Sequence, residues 1–153
     1  MAVVSPDPRC IEVCAYDDDC TMLARTVFGE ARSAPPVDDA GVAWVILNRR
    51  RRVGRFPNSI RGAALQKWAF SCFNSDNPSL KAVLDPESHE PDAWGRALRV
   101  SSSVLCGRLA DPTGGADHYV TRAFYLGARP THWCKKMKVT VVLGPHVFLR
   151  EKG

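Results

Sequence analysis

The chain has 153 residues and a mass of 16.9 kDa, and 45% of its residues are hydrophobic and 24% charged. These values are ordinary for one globular domain, which at this length buries a core without disulfides or metal ions. No apolar run approaches the roughly 20 residues that span a bilayer, so we expect no integral membrane segment. The start, MAVVSPDPRC, lacks the basic end and apolar core of a signal peptide, so we expect synthesis in the cytoplasm without export by that route.

The formal net charge of +5 is concentrated in two basic clusters, at residues 49–52 and 135–138. Such clusters attract polyanions, either nucleic acid or the anionic polymers of a bacterial envelope, although most of them are simply solvated. The arginine cluster has no stacking aromatic residues beside it and no recognition-helix signature. We therefore expect no nucleic-acid partner and keep one only as an alternative.

Six cysteines form an even set with irregular spacing, at positions 10, 14, 20, 72, 106 and 134. No pair has the two-residue gap of a zinc knuckle, and no two histidines stand at helical metal-ligand spacing. We expect no metal ion and no cofactor. Reduced, mostly buried thiols are expected, while a bridge among Cys10, Cys14 and Cys20 after export stays open.

The N-terminal part of the chain predicts two helices. Residues 1–16, with two prolines, are expected to be a loose lead-in to a single domain over residues 17–153. Aspartates cap a first helix, at about residues 20–32, which ends before a double proline. A second helix begins at residues 37–39 and ends in the arginine cluster, as the helix dipole favours.

The rest of the chain predicts shorter helices and then strands. A short helix, an irregular stretch, a brief helical piece and a third long helix are expected in that order, over residues 59–66, 67–77, 80–84 and 90–108. A glycine-rich loop, DPTGGAD, follows, and beyond it we expect extended segments at residues 118–126, 138–143 and 147–149. The fold class is therefore α+β, mainly helical with a small antiparallel β region near the C-terminus.

One carboxylate stands out in the first helix, within the segment LARTVFGEAR. Leu23, Val27 and Glu30 follow one another at intervals of four and three, so Glu30 shares the face that turns inward. The simple interpretation is a helix-terminal glutamate that reaches solvent or caps a neighbouring backbone. The functional interpretation is a carboxyl in a partly apolar cleft, where desolvation favours its protonated form and lets it act as a general acid.

Polar residues among aromatic and glycine neighbours indicate a saccharide cleft. The chain places them in loops, at Gln66, Ser71, Thr113, Tyr119 and His146. Sugar faces stack on aromatic rings while sugar hydroxyls need directed hydrogen-bond partners. Each of these residues alone is more simply structural. Cys72 with a histidine is an alternative thiol nucleophile, but its apolar flanks favour a buried thiol, and no serine lies in a nucleophile-elbow motif.

Several segments, in the same order, resemble the SleB/CwlJ-type cell-wall hydrolases. They are FGEAR, AWVILNR, RFPNSI, Gln66 with Phe70 and Ser71, DPTGGA, Pro130, Trp133 and the ending GPHVF. The resemblance covers about residues 23–148. It implies a lysozyme-like or lytic-transglycosylase-like fold and an enzyme that cleaves peptidoglycan glycan strands.

By this resemblance Glu30 matches the family's catalytic glutamate, and the bond attacked is the β-1,4 bond between N-acetylmuramic acid (MurNAc) and N-acetylglucosamine (GlcNAc). The substrate-binding residues that it implies are Gln66, Phe70, Ser71, Thr113, Gly114, Tyr119, Trp133 and His146. The sequence departs from the family pattern at Ser33, Ala34, Ala69, His118 and Leu149, which puts substrate specificity in doubt more than the role of Glu30.

Two endings of the reaction stay open. The muramic acid 6-hydroxyl attacks C1 and gives an anhydro product, or water attacks and gives simple hydrolysis. The water route usually recruits a second carboxylate about 5 to 10 Å from the first. Asp76, Asp111 and Asp117 are candidates, although Asp111 is equally suited to organising its own turn. Without a convincing second acid, the transglycosylase ending is favoured.

The architecture suggests a monomeric phage endolysin released by a holin, or a virion-associated lysin, acting on the wall or in the periplasm. A non-catalytic wall-binding or virion structural protein is the main alternative.

Overall fold

The structure, a computed structural model, describes residues 6–32, 36–67 and 69–152. These residues form nine α-helices, a 3₁₀ turn and a three-stranded antiparallel sheet near the C-terminus. The predicted α+β class is therefore confirmed. No helix within these ranges is long and apolar enough to cross a bilayer. The departures at Ser33 and Ala34 lie outside the described residues.

Helix α1 (Pro8–Cys14) occupies part of the segment for which the sequence predicts a loose lead-in, so that prediction is wrong for these residues. The Asp7 carboxylate caps the helix by accepting from the backbone N–H of Arg9 at 2.8 Å. Cys10 and Cys14 lie one turn apart on the same face and are buried in the main core. The domain boundary at residue 17 stays a prediction.

Helices α2 (Asp19–Ala31) and α3 (Pro36–Arg51) lie where the sequence predicts them. The Asp18 carboxylate caps α2 by accepting from the backbone N–H of Thr21 at 2.7 Å. Every residue of α2 over 22–28 is buried, because other helices cover it on several sides. Helix α2 is thus the central helix, and Glu30 lies in its last turn.

Four further helices follow: α4 (Ile60–Ala64), α5 (Leu80–Leu84), α6 (Pro86–His89) and α7 (Pro91–Leu105), with the 3₁₀ turn at Ser71–Phe73 between α4 and α5. Helices α4, α5 and α7 confirm the predicted ones. Helix α6 is missed because its proline reads as a break, although proline fits the first turn of a helix. Helix α7 packs along α2, where the Trp94 ring meets Phe28 edge-on at 6.1 Å.

Three strands form the sheet: β1 (His118–Thr121), β2 (Lys138–Leu143) and β3 (His146–Arg150). Their order is β1-β3-β2 with both pairs antiparallel, so β3 is central. Strands β2 and β3 confirm two of the predicted extended segments. In the first pair, Tyr119 lies opposite Phe148 and Thr121 lies opposite His146.

For the remaining predicted segment, 118–126, the prediction of an extended chain is wrong beyond Thr121. Helix α8 (Arg122–Gly127) begins there, because the Thr121 hydroxyl accepts from the Phe124 N–H at 3.1 Å and caps it. The aromatic residues of this segment suit a strand by propensity, but local capping decides against it. A final one-turn helix, α9 (Trp133–Lys136), precedes β2.

A close contact joins the sheet to the helices. Phe148 is fully buried with Val45 and Ala116 in a cluster between β3 and α3. Its ring lies against Gly41, where an added Cβ would lie 2.6 Å from the ring atom Cζ. Only a residue without a side chain lets the sheet approach α3 this closely. The Phe148 ring in turn contacts Tyr119, with 5.8 Å between ring centroids.

We expect Gly41→Ala to lower the free energy of unfolding by about 1–3 kcal/mol, because the new methyl group overpacks against Phe148. Gly95→Ala in α7 is the matched control. Its Cβ would meet only Arg99 Nη1, at 3.4 Å, so it is expected to be neutral or stabilising by about 1 kcal/mol. Urea unfolding measures both, and equal stabilities of the two variants would contradict the close contact.

A second prediction concerns Asp39 in the first turn of α3, which is 6% exposed. Burial raises the pKa of its carboxyl to about 6, with Arg96 opposing this shift and Asp38 adding to it. The folded pKa thus lies above the unfolded value of about 4, and the folded state binds the proton more tightly. The contribution of Asp39 to stability is therefore fully present below about pH 4 and is lost as pH rises to about 6.

Asp39→Asn is expected to remove this pH dependence. Relative to the unmutated protein, the variant should gain up to about 3 kcal/mol more stability at pH 7 than at pH 4. Urea unfolding at the two pH values measures the difference, with Asp76→Asn at an exposed loop position as the control. If Asp39→Asn changed the free energy of unfolding equally at both pH values, the prediction would be wrong.

Candidate active site

Glu30 is half-buried at the end of α2, and both of its carboxylate oxygens accept hydrogen bonds. The Cys72 backbone N–H in the 3₁₀ turn donates to Oε1 at 3.3 Å. The Tyr119 hydroxyl on β1 donates to Oε2 at 3.1 Å. Three separate parts of the chain therefore fix the orientation of one carboxyl group.

The glycine before Glu30 permits this arrangement. A Cβ at Gly29 would lie 2.7 Å from both Cβ and Sγ of Cys72. Because Gly29 has no side chain, the 3₁₀ turn approaches α2 closely enough for the Cys72 N–H to reach the carboxylate. This is the structural reason for the glycine in the FGEAR segment.

Two adjoining cavities meet at Glu30 and form one cleft. The first cavity, of about 250 Å³, is lined by Glu30, Arg49, Ala69, Phe70, Ser71, His118, Tyr119 and Trp133. The second cavity, of about 400 Å³, is lined by Glu30, Tyr119, Val120, Thr121, Phe124, Trp133 and His146. Glu30 thus lies between the two halves of the cleft, an arrangement that suits an elongated polymer crossing the carboxylate.

Exposed aromatic rings stand along the cleft. Trp133 is 44% exposed and Phe124 is 49% exposed, and both line it. A row of rings connects them: His118 lies 5.5 Å from Trp133, Trp133 lies 5.1 Å from His132, and His132 lies 5.0 Å from Phe124. Large rings that stay exposed beside polar groups are suited to stacking on sugar faces.

The two side chains beside Glu30 stay protonated. Burial, together with the neighbouring Glu30 carboxylate, raises the pKa of the Tyr119 phenol well above its ordinary value. The same two causes raise the pKa of the Cys72 thiol well above its ordinary value. Tyr119 therefore remains a hydrogen-bond donor, and Cys72 lacks the thiolate that a nucleophile needs. The buried-thiol interpretation of Cys72 is confirmed, since it is 1% exposed.

His146 lines the second cavity and is held from behind by Asp38 of α3. Its Nδ1 lies 3.0 Å from Asp38 Oδ1. Asp38 is fully buried, and its Oδ2 has no hydrogen-bond partner among the described residues. The imidazole ring also stands edge-on to the Tyr119 ring, with 5.2 Å between centroids. The ring orientation of His146 is thus fixed from two sides.

Six of the nine residues predicted for the site line the cleft, namely Glu30, Phe70, Ser71, Tyr119, Trp133 and His146. Gln66 lines neither cavity and lies in the turn after α4, where its carbonyl accepts from the Ala69 N–H at 3.0 Å. Thr113 and Gly114 line neither cavity as well. Substrate contacts by Gln66, Thr113 and Gly114 therefore stay predictions.

Thr113 is fully buried, and its hydroxyl organises the glycine-rich loop. The hydroxyl donates to Asp111 Oδ1 at 2.6 Å and accepts from the Ala116 N–H at 3.1 Å. Gly114, with a φ of 68°, provides the left-handed turn that this loop requires. The loop is also tied to α3, because the Asn48 side-chain amide donates to Asp111 Oδ2 at 3.0 Å and to the Ala116 carbonyl at 2.9 Å.

The candidate second carboxylates also lie outside both cavities. Asp111 accepts from the backbone N–H groups of Thr113 and Gly115, at 2.8 and 3.0 Å, and so organises its own turn. Asp117 is fully buried and pairs with Arg52, while Asp76 is exposed on a loop. Among the described residues that line the cleft, Glu30 is the only carboxylate.

The site residues predicted from the sequence leave out six residues that line the cleft, namely Arg49, Ala69, His118, Val120, Thr121 and Phe124. Arg49 belongs to the arginine cluster interpreted as a helix end, yet it is only 7% exposed and lines the first cavity. Its presence in the AWVILNR segment is the signal that could have identified it. Phe124 falls in the part of the chain where a strand is predicted in place of α8.

The described residues contain no group of three or more histidine, cysteine or acidic side chains placed to hold a metal ion. All six cysteines carry free thiols, and four of them are buried: Cys10, Cys14, Cys72 and Cys134.

Comparisons with known proteins identify relatives of this chain. A spore cortex-lytic enzyme of Halalkalibacterium halodurans is 32% identical over 133 residues, which cover 86% of this chain and 34% of that protein. A spore cortex-lytic enzyme of Bacillus cereus is 26% identical over 140 residues, covering 87% and 44% respectively. The chain thus spans between a third and a half of the length of these relatives.

Two solved structures share the fold. The catalytic domain of the Bacillus cereus SleB protein matches with a TM-score of 0.58 and 26% identity, covering 86% of this chain and 89% of that chain. The catalytic domain of the germination-specific lytic transglycosylase SleB from Bacillus anthracis matches with a TM-score of 0.62 and 27% identity, covering 88% and 97%. The fold is thus that of the SleB catalytic domains.

A family model described as Cell Wall Hydrolase matches residues 34–149. This range is most of the chain and contains every cleft residue except Glu30. The match confirms the family resemblance of the sequence segments. This chain belongs to the cell wall hydrolase family.

Proposed function

We propose that the chain is a lytic transglycosylase that cleaves the β-1,4 bond between MurNAc and GlcNAc in peptidoglycan, with Glu30 as general acid. The observation that carries this proposal is the position of Glu30. It is a half-buried carboxyl held by two donors, between the two halves of a cleft with exposed rings. Membership of the cell wall hydrolase family supports the substrate class, although the matched range begins after Glu30.

The proposed reaction starts with Glu30 protonated. Its proton passes to the glycosidic oxygen, which leaves as the 4-hydroxyl of GlcNAc while the muramyl ring develops oxocarbenium character. The muramyl 6-hydroxyl then attacks C1 and returns its proton to the Glu30 carboxylate. The Tyr119 and Cys72 donors hold the carboxylate in one orientation through both proton transfers.

The lone carboxylate favours this ending over hydrolysis. Attack by water usually needs a second carboxylate about 5 to 10 Å from the acid. Among the described residues the cleft contains no other carboxylate, and Asp111 and Asp117 are engaged by partners elsewhere. Internal attack by the 6-hydroxyl needs no such group, because Glu30 alone gives and takes the proton.

Delivery to the wall, through a holin or within a virion, stays a prediction, and so does a monomeric state. A non-catalytic wall-binding role is the competing hypothesis that the following variant decides.

We expect Glu30→Gln to lower the release of muropeptides from purified peptidoglycan by about a hundredfold or more, because the amide cannot donate the proton. Glu87→Gln at an exposed position of α6 is the matched control, with the same loss of charge and full activity expected. Thermal unfolding establishes that both variants are folded. Equal release by the Glu30 variant and the unmutated protein would eliminate Glu30 as the acid.

Mass spectrometry of the released fragments distinguishes the two endings. The transglycosylase ending gives 1,6-anhydromuramic termini, which are lighter by one water than the reducing termini of hydrolysis. We expect anhydro termini to dominate because the cleft lacks a second described carboxylate. Mainly reducing termini would show that water attacks, and would refute the transglycosylase part of the proposal alone.

A further inference from the structure

Arg49 is a buried cation with unused hydrogen-bond donors. Only its Nε–H donates to a described residue, to the backbone carbonyl of Asp117 at 2.7 Å. Arg25 is equally exposed, at 7%, but is fully engaged. It donates twice to the Asp17 carboxylate, at 2.8 and 3.0 Å, and to the backbone carbonyl of Val83 at 2.7 Å. The Nη1 and Nη2 groups of Arg49 have no such acceptor among the described residues.

No described carboxylate forms an ion pair with Arg49. The nearest part of Asp117 is its backbone carbonyl, while its carboxylate pairs with Arg52 and lies 2.7 Å from His118 Nδ1. Phe56 and Phe70 flank the guanidinium, with 5.2 Å from its central carbon to each ring centroid. The rings hold the group in place but accept no conventional hydrogen bond. Burial lowers the pKa of Arg49, and the charges of Asp117 and Glu151 oppose that shift without cancelling it.

The free end of Arg49 belongs to the cleft. Arg49 lines the first cavity together with Glu30 and Ser71, an exposed residue of the 3₁₀ turn. A buried guanidinium with two neighbouring free N–H groups matches an acceptor with two oxygens, and carboxylates provide that geometry. The cavity therefore combines a general acid with a binding site for an anion.

We propose that Arg49, assisted by the Ser71 hydroxyl, binds the carboxylate of the 3-O-lactyl group on a muramyl residue beside the cleaved bond. This inference rests on the proposed function. In a glycan strand without stem peptides, the lactyl carboxylate is the anionic group, since GlcNAc is neutral. When a stem peptide is attached, the same carbon is a neutral amide with one carbonyl oxygen.

The proposal places the enzyme in a reaction sequence. The preferred substrate is a glycan strand from which the stem peptides have been removed. The class of reaction that supplies it is hydrolysis of the amide bond between the lactyl group and the peptide, which releases the free carboxylate. Cleavage of peptide-substituted strands is expected to be slower because Arg49 stays without its counterion.

Binding of three tetrasaccharides by isothermal titration calorimetry tests the proposal, with Glu30→Gln protein to prevent turnover. The first is alternating GlcNAc and MurNAc with free lactyl carboxylates, the second carries the lactyl groups as methylamides, and the third is a GlcNAc tetramer. We expect the free acid to bind about tenfold more tightly than either of the others. This comparison needs no change at Arg49, so it stands even if an Arg49 variant fails to fold.

Two variants made in the Glu30→Gln protein locate the effect. Arg49→Gln is expected to bind the acid and the methylamide equally. Arg50→Gln, with the same charge change at a half-buried residue of α3 that lines neither cavity, is expected to keep the preference. Circular dichroism and thermal unfolding establish that each variant is folded.

The outcomes separate this inference from the proposed function. If the unmutated protein cleaves peptidoglycan while acid and methylamide bind equally to the Glu30→Gln protein, only the lactyl inference is wrong. A preference that survives Arg49→Gln in a folded protein also overturns it. If no glycan is bound and none is cleaved, both proposals are wrong.

Discussion

The cleft depends on the close packing of α2 against the 3₁₀ turn at Ser71–Phe73. Gly29 allows this approach, since any Cβ there would collide with the Cys72 side chain. The packing brings the Cys72 N–H to one oxygen of Glu30 and leaves the other oxygen for Tyr119. Without these two donors, a carboxyl group at a helix end would turn freely toward solvent. The packing of the helices therefore also sets the geometry of the site.

The small sheet supplies the second hydrogen-bond donor to Glu30, the Tyr119 hydroxyl. Tyr119 lies on β1, an outer strand of four residues, and a short outer strand alone would hold the contact with Glu30 poorly. Its position is secured because Phe148, on the neighbouring strand, packs against both Tyr119 and Gly41 of α3. His146, on the same strand, supports the Tyr119 ring from another side and is itself held by Asp38. Three strands are thus enough to position Tyr119. Gly41 lets the sheet pack closely on α3, and Gly29 lets the 3₁₀ turn pack closely on α2.

The parts of the fold that sequence reasoning predicts are those with long periodic patterns and clear ends. Helices α2, α3 and α7 bury continuous apolar faces, and β2 and β3 have the β-branched residues of strands. The failures occur where a single contact decides. Thr121 caps α8 in a segment with strand propensity, and α1 forms because Asp7 caps it and the core accepts two cysteines. Such contacts depend on the tertiary fold and do not show in the spacing of hydrophobic residues along the sequence.

The same limit applies to the site. Glu30 is recognisable because its spacing places a charged residue on the apolar face of a helix. Trp133 is recognisable because it belongs to one of the segments that resemble the family. Thr113 looks like a ligand-binding hydroxyl in a glycine-rich loop, but it is fully used within that loop. Arg49 looks like one of four interchangeable surface arginines, although it is buried. Composition cannot separate these cases, because the difference lies in which donors remain free after folding.

That difference also changes the meaning of the basic cluster. Its arginines do not form one free cationic surface. Arg52 pairs with Asp117 and Glu151, Arg51 lies over a tryptophan ring at 5.2 Å, and Arg49 lines the cleft. A polyanion on the surface would have to compete with these contacts for most of the charge that makes the sequence look like a nucleic-acid binder. The cluster therefore supports the sheet through the ion pairs of Arg52, while Arg49 lines the cleft.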